Sequence, residues 1–259
     1  MSDLTAHPRL SVNSICSMNQ SLDQDLALWA DLGIDNVGLI SPKLDAAWDV
    51  SQQAVLDAKL VVSSMSAYPH GIVESLPFTA AVGCDVLYTV SGSFGAVLFE
   101  EAAEKFCQEM TPIVAQAQDF GVRLAVEPTN PFRSAVSFVY CLRDAIDLAR
   151  KVAGLGVVVD FYSCWYERNL EELVRQNIDL VALVQIGDYR LGTFDIPNRC
   201  ALGDGDIPVE RLFGLLLDAG YEGPFDLEIL GPEIEEEGYR APIVRSVERA
   251  SEILDRLGA

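Results

Sequence analysis

Leu124-Ala125-Val126-Glu127-Pro128-Thr129-Asn130 is followed, one repeat later, by Val157-Val158-Val159-Asp160. Then come Leu183-Val184-Gln185-Ile186-Gly187-Asp188 and Phe225-Asp226-Leu227-Glu228-Ile229-Leu230. Each is a short apolar, β-branched run that ends on, or carries near its end, a polar or acidic side chain. Such runs read as fully buried parallel strands. A carboxylate inside one is costly unless it is paired, protonated or bound to a metal.

Working outward from these four runs, the same alternation extends over the whole chain. Strands are expected at Leu10–Cys16, Asn36–Ile40, Leu60–Ser66, Val86–Ser91, Arg123–Glu127, Gly156–Asp160, Val181–Ile186 and Pro224–Ile229. Amphipathic helical patterns lie between them at Leu22–Asp31, Leu44–Ala58, Phe99–Phe120, Leu142–Val152, Leu170–Gln176, Val209–Ala219 and Ala241–Leu257. The stretch Ile72–Val82 is a weaker helix pattern because Pro77 interrupts it. Gly33, Gly121 and Gly220 follow helical runs, where a left-handed cap favours glycine. Ser21 reads as an N-cap, and Asp206 with Pro208 reads as a helix start.

Eight strand–helix units in 259 residues match an eightfold β/α barrel of roughly 250 residues. The expectation is an α/β protein, a (β/α)8 TIM barrel, with residues 1–259 as a single domain. A doubly wound open sheet is the alternative. It needs a phosphate-binding glycine turn after its first strand, and Ser14-Ile15-Cys16-Ser17-Met18-Asn19-Gln20 contains no glycine.

Composition narrows the function. Eighteen basic against 39 acidic residues give a net charge of −21. Binding to nucleic acid or to an anionic membrane is therefore not expected. No apolar run is long enough to span a bilayer. Met1 to Leu10 lack the basic and apolar regions of a secretory signal, so a cytoplasmic location is expected. The six cysteines are scattered with no CxxC pair, which argues against a disulfide framework or structural zinc and for small buried apolar roles. Two histidines are too few for any site built on three. His70 follows the third strand and is the candidate neutral-pH acid/base, while His7 lies in the polar leader.

In a parallel barrel the active site lies at the carboxyl ends of the strands. Glu127, Asp160, Gln185 and Glu228 end four consecutive strands there. Three converging carboxylates repel one another, and a divalent cation resolves that repulsion.

At these residues the chain resembles the xylose-isomerase-like barrels of the sugar isomerase and epimerase type, which include hydroxypyruvate isomerase, ketose 3-epimerases and inosose dehydratase. Leu124 to Pro128 match the strand-five Leu-x-x-Glu-Pro, and Asp160 matches the strand-six aspartate. Gly220-Tyr221-Glu222-Gly223 and then Glu228 match the turn and glutamate of strand eight, and Asn198 to Pro208 stand in the place of a glycine-containing family segment. The likeness covers most of the chain and is strongest from Arg123 to Leu230.

Two positions depart from the pattern. Ser163 stands where many members carry a substrate-touching histidine, and Gln185 stands where many carry a histidine ligand, although hydroxypyruvate isomerase-like members also have glutamine there. The resemblance to apurinic endonucleases is one of architecture only, because that chemistry uses a histidine-rich multi-zinc site on a polyanion.

The resemblance implies that Glu127, Asp160, Gln185 and Glu228 hold a metal and that Glu127 and Glu228 also act as acid and base. An all-oxygen ligand set favours Mn2+ or Mg2+, with Co2+ or Zn2+ as the other options. Arg199 aligns with a family arginine and suits an anionic or polar substrate group. It is preferred to Arg190 for that role.

Arg199, Trp165 and Ser163 are the expected substrate-binding residues. Phe161, Tyr162 and Trp165 suit core, mouth wall or the face of a ring. The Gly203-Asp204-Gly205 turn is weak evidence for anion binding, and the acidic run Glu233–Glu237 reads as a solvated loop.

The expected activity is metal-dependent isomerisation or epimerisation of a small hydroxycarbonyl, sugar-like molecule by proton abstraction next to a carbonyl. A lyase or dehydratase using the same site is the alternative, and a non-catalytic binding barrel is a third reading. Family members often pair through outer helices, so a homo-oligomer is compatible with the fold.

Overall fold

The computed structural model describes residues 4–194 and 197–259. Eight parallel strands close into a barrel in sequence order: β1 (Leu10–Asn13), β2 (Asn36–Ile40), β3 (Val61–Ser66), β4 (Val86–Val90), β5 (Arg123–Glu127), β6 (Gly156–Asp160), β7 (Val181–Ile186) and β8 (Phe225–Leu227). β1 pairs with both β2 and β8, which completes the ring. The helices are α1 (Leu22–Leu32), α2 (Asp49–Asp57), α3 (Ile72–Ala81), α4 (Phe99–Asp119), α5 (Leu142–Lys151), α6 (Phe161–Cys164), α7 (Leu170–Gln176), α8 (Val209–Asp218), α9 (Pro232–Glu237) and α10 (Arg240–Leu257). Among the described residues no helix is long and apolar enough to cross a membrane.

Alternation along each strand divides the core. Leu124 and Val126 of β5, Val157 and Val159 of β6, and Phe225 and Leu227 of β8 pack outward into the main apolar core that the helices cover. Val86 and Tyr88 of β4, Ala125, Val158 and Leu183 form a separate cluster that fills the barrel interior. The period of two then carries Glu127, Asp160 and Gln185 to the interior at the carboxyl ends of their strands. Glu228 follows on the same face as Asp226, and its N–H still bonds the Ile186 carbonyl at 2.8 Å, extending the ladder by one link.

Below that level the interior is polar on the side of β1, β3 and β8. Asp226 accepts hydrogen bonds from Ser11 Oγ at 2.7 Å, Asn13 Nδ2 at 2.9 Å and Ser64 Oγ at 2.7 Å. This is how a fully buried carboxylate is accommodated without a cation beside it. Gly38 is the neighbour that leaves room. A Cβ there would stand 2.5 Å from Asn13 Nδ2, 2.6 Å from Asp226 Oδ2 and 2.7 Å from Ser64 Oγ.

The structure corrects the expected elements at several points. β1 stops at Asn13 because Ser14–Ser17 turn into a 3-10 helix, capped by the Asn13 side chain accepting from Ile15 N–H. α2 begins at Asp49, five residues later than the sequence pattern, because Asp45 accepts from Ala47 N–H and Ser51 N–H and holds a turn. α3 runs continuously through Pro77; Val73, whose carbonyl loses its partner, is an exposed residue. Asp206 does not cap α8. Pro208 occupies the cap position, while the Asp206 carboxylate accepts from Leu191 N–H. The acidic run forms the short helix α9 rather than a loop.

Other expectations agree with the structure. Ser21 makes a capping box with Gln24. Gly33, Gly121 and Gly220 adopt φ of +68°, +72° and +92°. All six cysteines are free thiols, four of them buried.

Candidate metal centre and cavity

Glu127, Asp160 and Glu228 come together at the mouth of the barrel, with one carboxylate oxygen from each lying within 4.8 Å of the others. All three are buried. Gln185, paired in register with Asp160, is fully buried beside them, and neither its amide oxygen nor its amide nitrogen has a hydrogen-bond partner. A buried primary amide without partners is costly and rare, so this group is positioned for something other than protein.

Arg199 enters the same space. Its Nη2 lies 3.1 Å from Asp160 Oδ2 and its Nη1 donates to the Glu228 carbonyl at 2.9 Å. Nη1 also stands 3.3 Å from Glu228 Oε2, an ion pair in which that oxygen has no hydrogen-bond partner. The guanidinium carbon sits 4.6 Å from the centroid of the Tyr162 ring, a cation–π contact. Ser163 Oγ donates to Asp160 Oδ2 at 2.7 Å, and Tyr162 N–H donates to Oδ1 at 3.0 Å. α6, which the sequence reading did not anticipate, exists because Asp160 caps it.

Asp188 explains how a long loop delivers Arg199 so accurately. Its carboxylate accepts from the N–H groups of Tyr189, Gly203, Gly205 and Ile207 at 2.8, 2.9, 3.1 and 3.0 Å. Four loop amides gathered on one buried carboxylate tie Asp188 and Tyr189 to residues 203–207. An antiparallel bridge between Asp188 and Cys200 then places Arg199 over the triad.

Charge accounting defines what the site lacks. Three carboxylates against one guanidinium leave two formal negative charges in a buried pocket. Burial, together with Glu228 and Asp160, pushes the Glu127 carboxyl far above the ordinary carboxylate range, with Arg199 and Arg133 opposing. Burial also lifts Glu228 to about 7, against the pull of Arg199. Burial alone would lower Arg199, but Asp160, Glu228 and Glu127 outweigh it and keep the guanidinium charged. The pocket therefore takes up protons or a cation. One divalent ion supplies the missing charge, and the donors present are carboxylate and amide oxygens. The residues fit a divalent metal held by Glu127, Asp160, Glu228 and the Gln185 amide oxygen.

Above the triad is a cavity of about 120 Å³, room for several waters or the small molecule that replaces them. Ile15, Met18, Ile40 and Val90 give it an apolar side; Ser66, Tyr88 and Thr129 add hydroxyls. Tyr88 is buried and its phenol is held far above its ordinary range by burial and by Glu228, Glu127 and Asp226, so it remains a donor. Arg133, from the turn after β5, also faces the cavity.

Two of the expected residues, His70 and Trp165, do not line this cavity, and neither does Arg190. His70 is exposed on the turn Pro69–Gly71, stacks on Tyr68 at 5.9 Å, and is not among the residues lining the cavity. Trp165 lines a neighbouring outer depression. Arg190 is turned away to Glu233 at 3.1 Å. Tyr88, Arg133, Asp188 and Asp226 were not identified from the sequence. For Asp226 a signal existed, since it shares the inward face with Glu228.

A family model described as xylose isomerase-like TIM barrel matches residues 26–246. Among solved structures, protein SMc04130 from Sinorhizobium meliloti 1021 superposes with a TM-score of 0.82 at 20% identity, over 96% of this chain and 98% of that one. An IOLI protein with a bound zinc atom gives 0.82 at 17% identity, over 96% and 99%. A D-allulose 3-epimerase from Methylomonas sp. gives 0.75 at 16% identity, over 96% and 100%. At such identities these likenesses establish the fold alone.

Proposed function

The chain belongs to the xylose isomerase-like TIM barrel family, and from that premise we propose that it is a divalent-metal-dependent isomerase or epimerase of a small, sugar-like hydroxycarbonyl compound. The observation that carries this reading is the buried triad Glu127, Asp160 and Glu228, gathered within 4.8 Å with an unpartnered Gln185 amide beside it. The oxygen donor set favours Mn2+ or Mg2+.

A bound divalent cation supplies Lewis-acid polarisation of a carbonyl and its neighbouring hydroxyl. The protein supplies the rest. Glu127 ends β5 and Glu228 follows β8, with β6 and β7 between them around the ring, so the two carboxyls approach a bound molecule from different sides. That is the arrangement needed to take a proton from one position and return one at another. A carboxylate at either position serves as base and, once it has taken up a proton, as acid. Arg199 and Ser163 hold Asp160, and Arg199 also grips the Glu228 backbone carbonyl, which fixes both residues at the site. Tyr88 provides a protonated hydroxyl at the cavity wall.

A second reading uses the same site for β-elimination. It is favoured by the cavity sharing residues with a wider aromatic depression, which offers space for a leaving group that epimerisation does not require.

The test is elemental analysis of tag-free protein before and after chelator, followed by NMR of ketoses incubated with the metal-loaded enzyme in heavy water. Near-stoichiometric divalent metal and deuterium incorporation next to the carbonyl are expected. Folded protein that takes up no manganese, magnesium, cobalt or zinc would refute the reading.

A further inference from the structure

Beside the cavity, on the same face of the barrel, lies a second depression of about 780 Å³. It is built from three successive loops: Phe132 after β5, Trp165 and Tyr166 after β6, and Tyr189 and Leu191 after β7. Asn130 and Tyr162 line both spaces, so the depression continues outward from the reaction site. Tyr162 presents its ring to Arg199 and meets the Tyr189 ring edge-on, at 5.7 Å between centroids and an interplanar angle of 78°.

Its chemistry is unlike the rest of the surface. Charged residues make up 22% of the chain, yet no Asp, Glu, Lys or Arg is found among the described residues lining this depression. Phe132 is 83% exposed, Leu191 65% and Tyr166 52%. Exposed large apolar side chains gathered in one concave patch mark a binding surface rather than ordinary surface scatter. Flat rings meeting at steep angles suit a flat ring inserted among them. Among the described residues lining it there is no cation to receive a phosphate or carboxylate.

We infer that this depression is an outer subsite for an aryl or similarly flat, uncharged apolar substituent carried by the substrate, whose polyhydroxylated, carbonyl-bearing part occupies the inner cavity. The inference rests on the proposed hydroxycarbonyl chemistry and names its preferred substrate class: aryl-substituted sugars of glycoside type, with free ketoses as poorer substrates.

The test compares phenyl and methyl glucosides, both anomers, as ligands of the manganese-loaded protein by isothermal titration calorimetry. These probes lack the carbonyl, so binding is read without turnover. Phenyl glucoside of at least one anomer is expected to bind about tenfold or more tighter than its methyl counterpart. Phe132→Ala removes a mostly exposed side chain and should bring that ratio down toward unity while the protein stays folded by circular dichroism. Equal affinities, or no binding of any probe, overturn the inference. Sedimentation analysis runs in parallel: a dimer dispersed by Phe132→Ala, with no aryl preference, assigns the patch to a second copy and also overturns it. Deuterium exchange on a free ketose is independent of all these probes. Exchange without aryl preference removes the subsite and keeps the proposed function; aryl preference without exchange does the reverse.

Discussion

Arg199 Nη2 and Asp160 Oδ2 lie 3.1 Å apart, with the arginine side chain 6% exposed and the aspartate fully buried. This pair sits inside the proposed metal centre rather than beside it, and it reduces the triad's charge without cancelling it. Arg199→Met should therefore leave three buried carboxylates without the guanidinium that pairs with them. Loss of one partner of a buried pair costs about 3–5 kcal/mol. The apo variant is expected to melt well below the wild type, and added Mn2+ should raise its melting temperature by more than it raises that of the wild type. Equal apo melting temperatures for the two proteins would contradict the assigned role.

The raised Glu228 carboxyl sets a pH dependence with a definite sign. Its folded value of about 7 lies above the ordinary 4.5, so between those values the folded protein holds more protons than the unfolded chain. Stability of the metal-free protein should fall as pH rises through that window, and Glu228→Gln should show a shallower fall. A cation competes with the same proton, so Mn2+ affinity should climb by about tenfold per pH unit for each proton displaced, with Glu228 ceasing to contribute above about pH 7 and Glu127, raised further, still contributing there. Calorimetric titration from pH 5.5 to 8 measures this directly. A flat profile would mean that neither Glu228 nor Glu127 is among the ligands.

These two residues also show what the sequence makes legible. Glu228 and Asp160 are conspicuous because a carboxylate within an apolar, β-branched run has no inexpensive place in a fold, and alternation tells which side of the strand it faces. The order of strands follows from their regular spacing. Arg199 is visible through its resemblance to a family position, but its grip on Asp160 is not, because that contact depends on a loop returning from β7.

Asp188 is hidden for the same reason: its four partners are loop amides with no sequence signature. His70 misleads in the opposite way. Scarcity of histidine made it stand out, while its direction depended on a surface turn with no periodicity to read. α2 begins late because the local Asp45 turn outcompetes a helical pattern that starts at Leu44.

Gly38 tests the polar layer under the site. Gly38→Ala places a methyl group against Asn13, Asp226 and Ser64, all of them held by mutual hydrogen bonds and unable to yield separately. Overpacking of this kind costs about 1–3 kcal/mol. Urea unfolding should report a loss in that range. Wild-type stability would show that the layer is loosely packed.

Asp188 offers a local readout of how Arg199 is positioned. Oδ2 accepts from Gly203 and Gly205, while Oδ1 accepts from Tyr189 and Ile207. In Asp188→Asn one of these oxygens becomes an NH2 group that faces two donors and can accept from neither. One pair of amides loses its partner, and a buried unsatisfied donor costs about 1–3 kcal/mol. Hydrogen exchange followed residue by residue should therefore accelerate at Gly203 and Gly205, or at Tyr189 and Ile207, while amides of the distant α4 keep wild-type protection when exchange there is by local opening. The loop carries Arg199, so Mn2+ affinity should change along with it, because the guanidinium is no longer held against Asp160. Faster exchange with unchanged metal affinity would separate the loop anchor from the site, leaving Asp188 a purely structural residue.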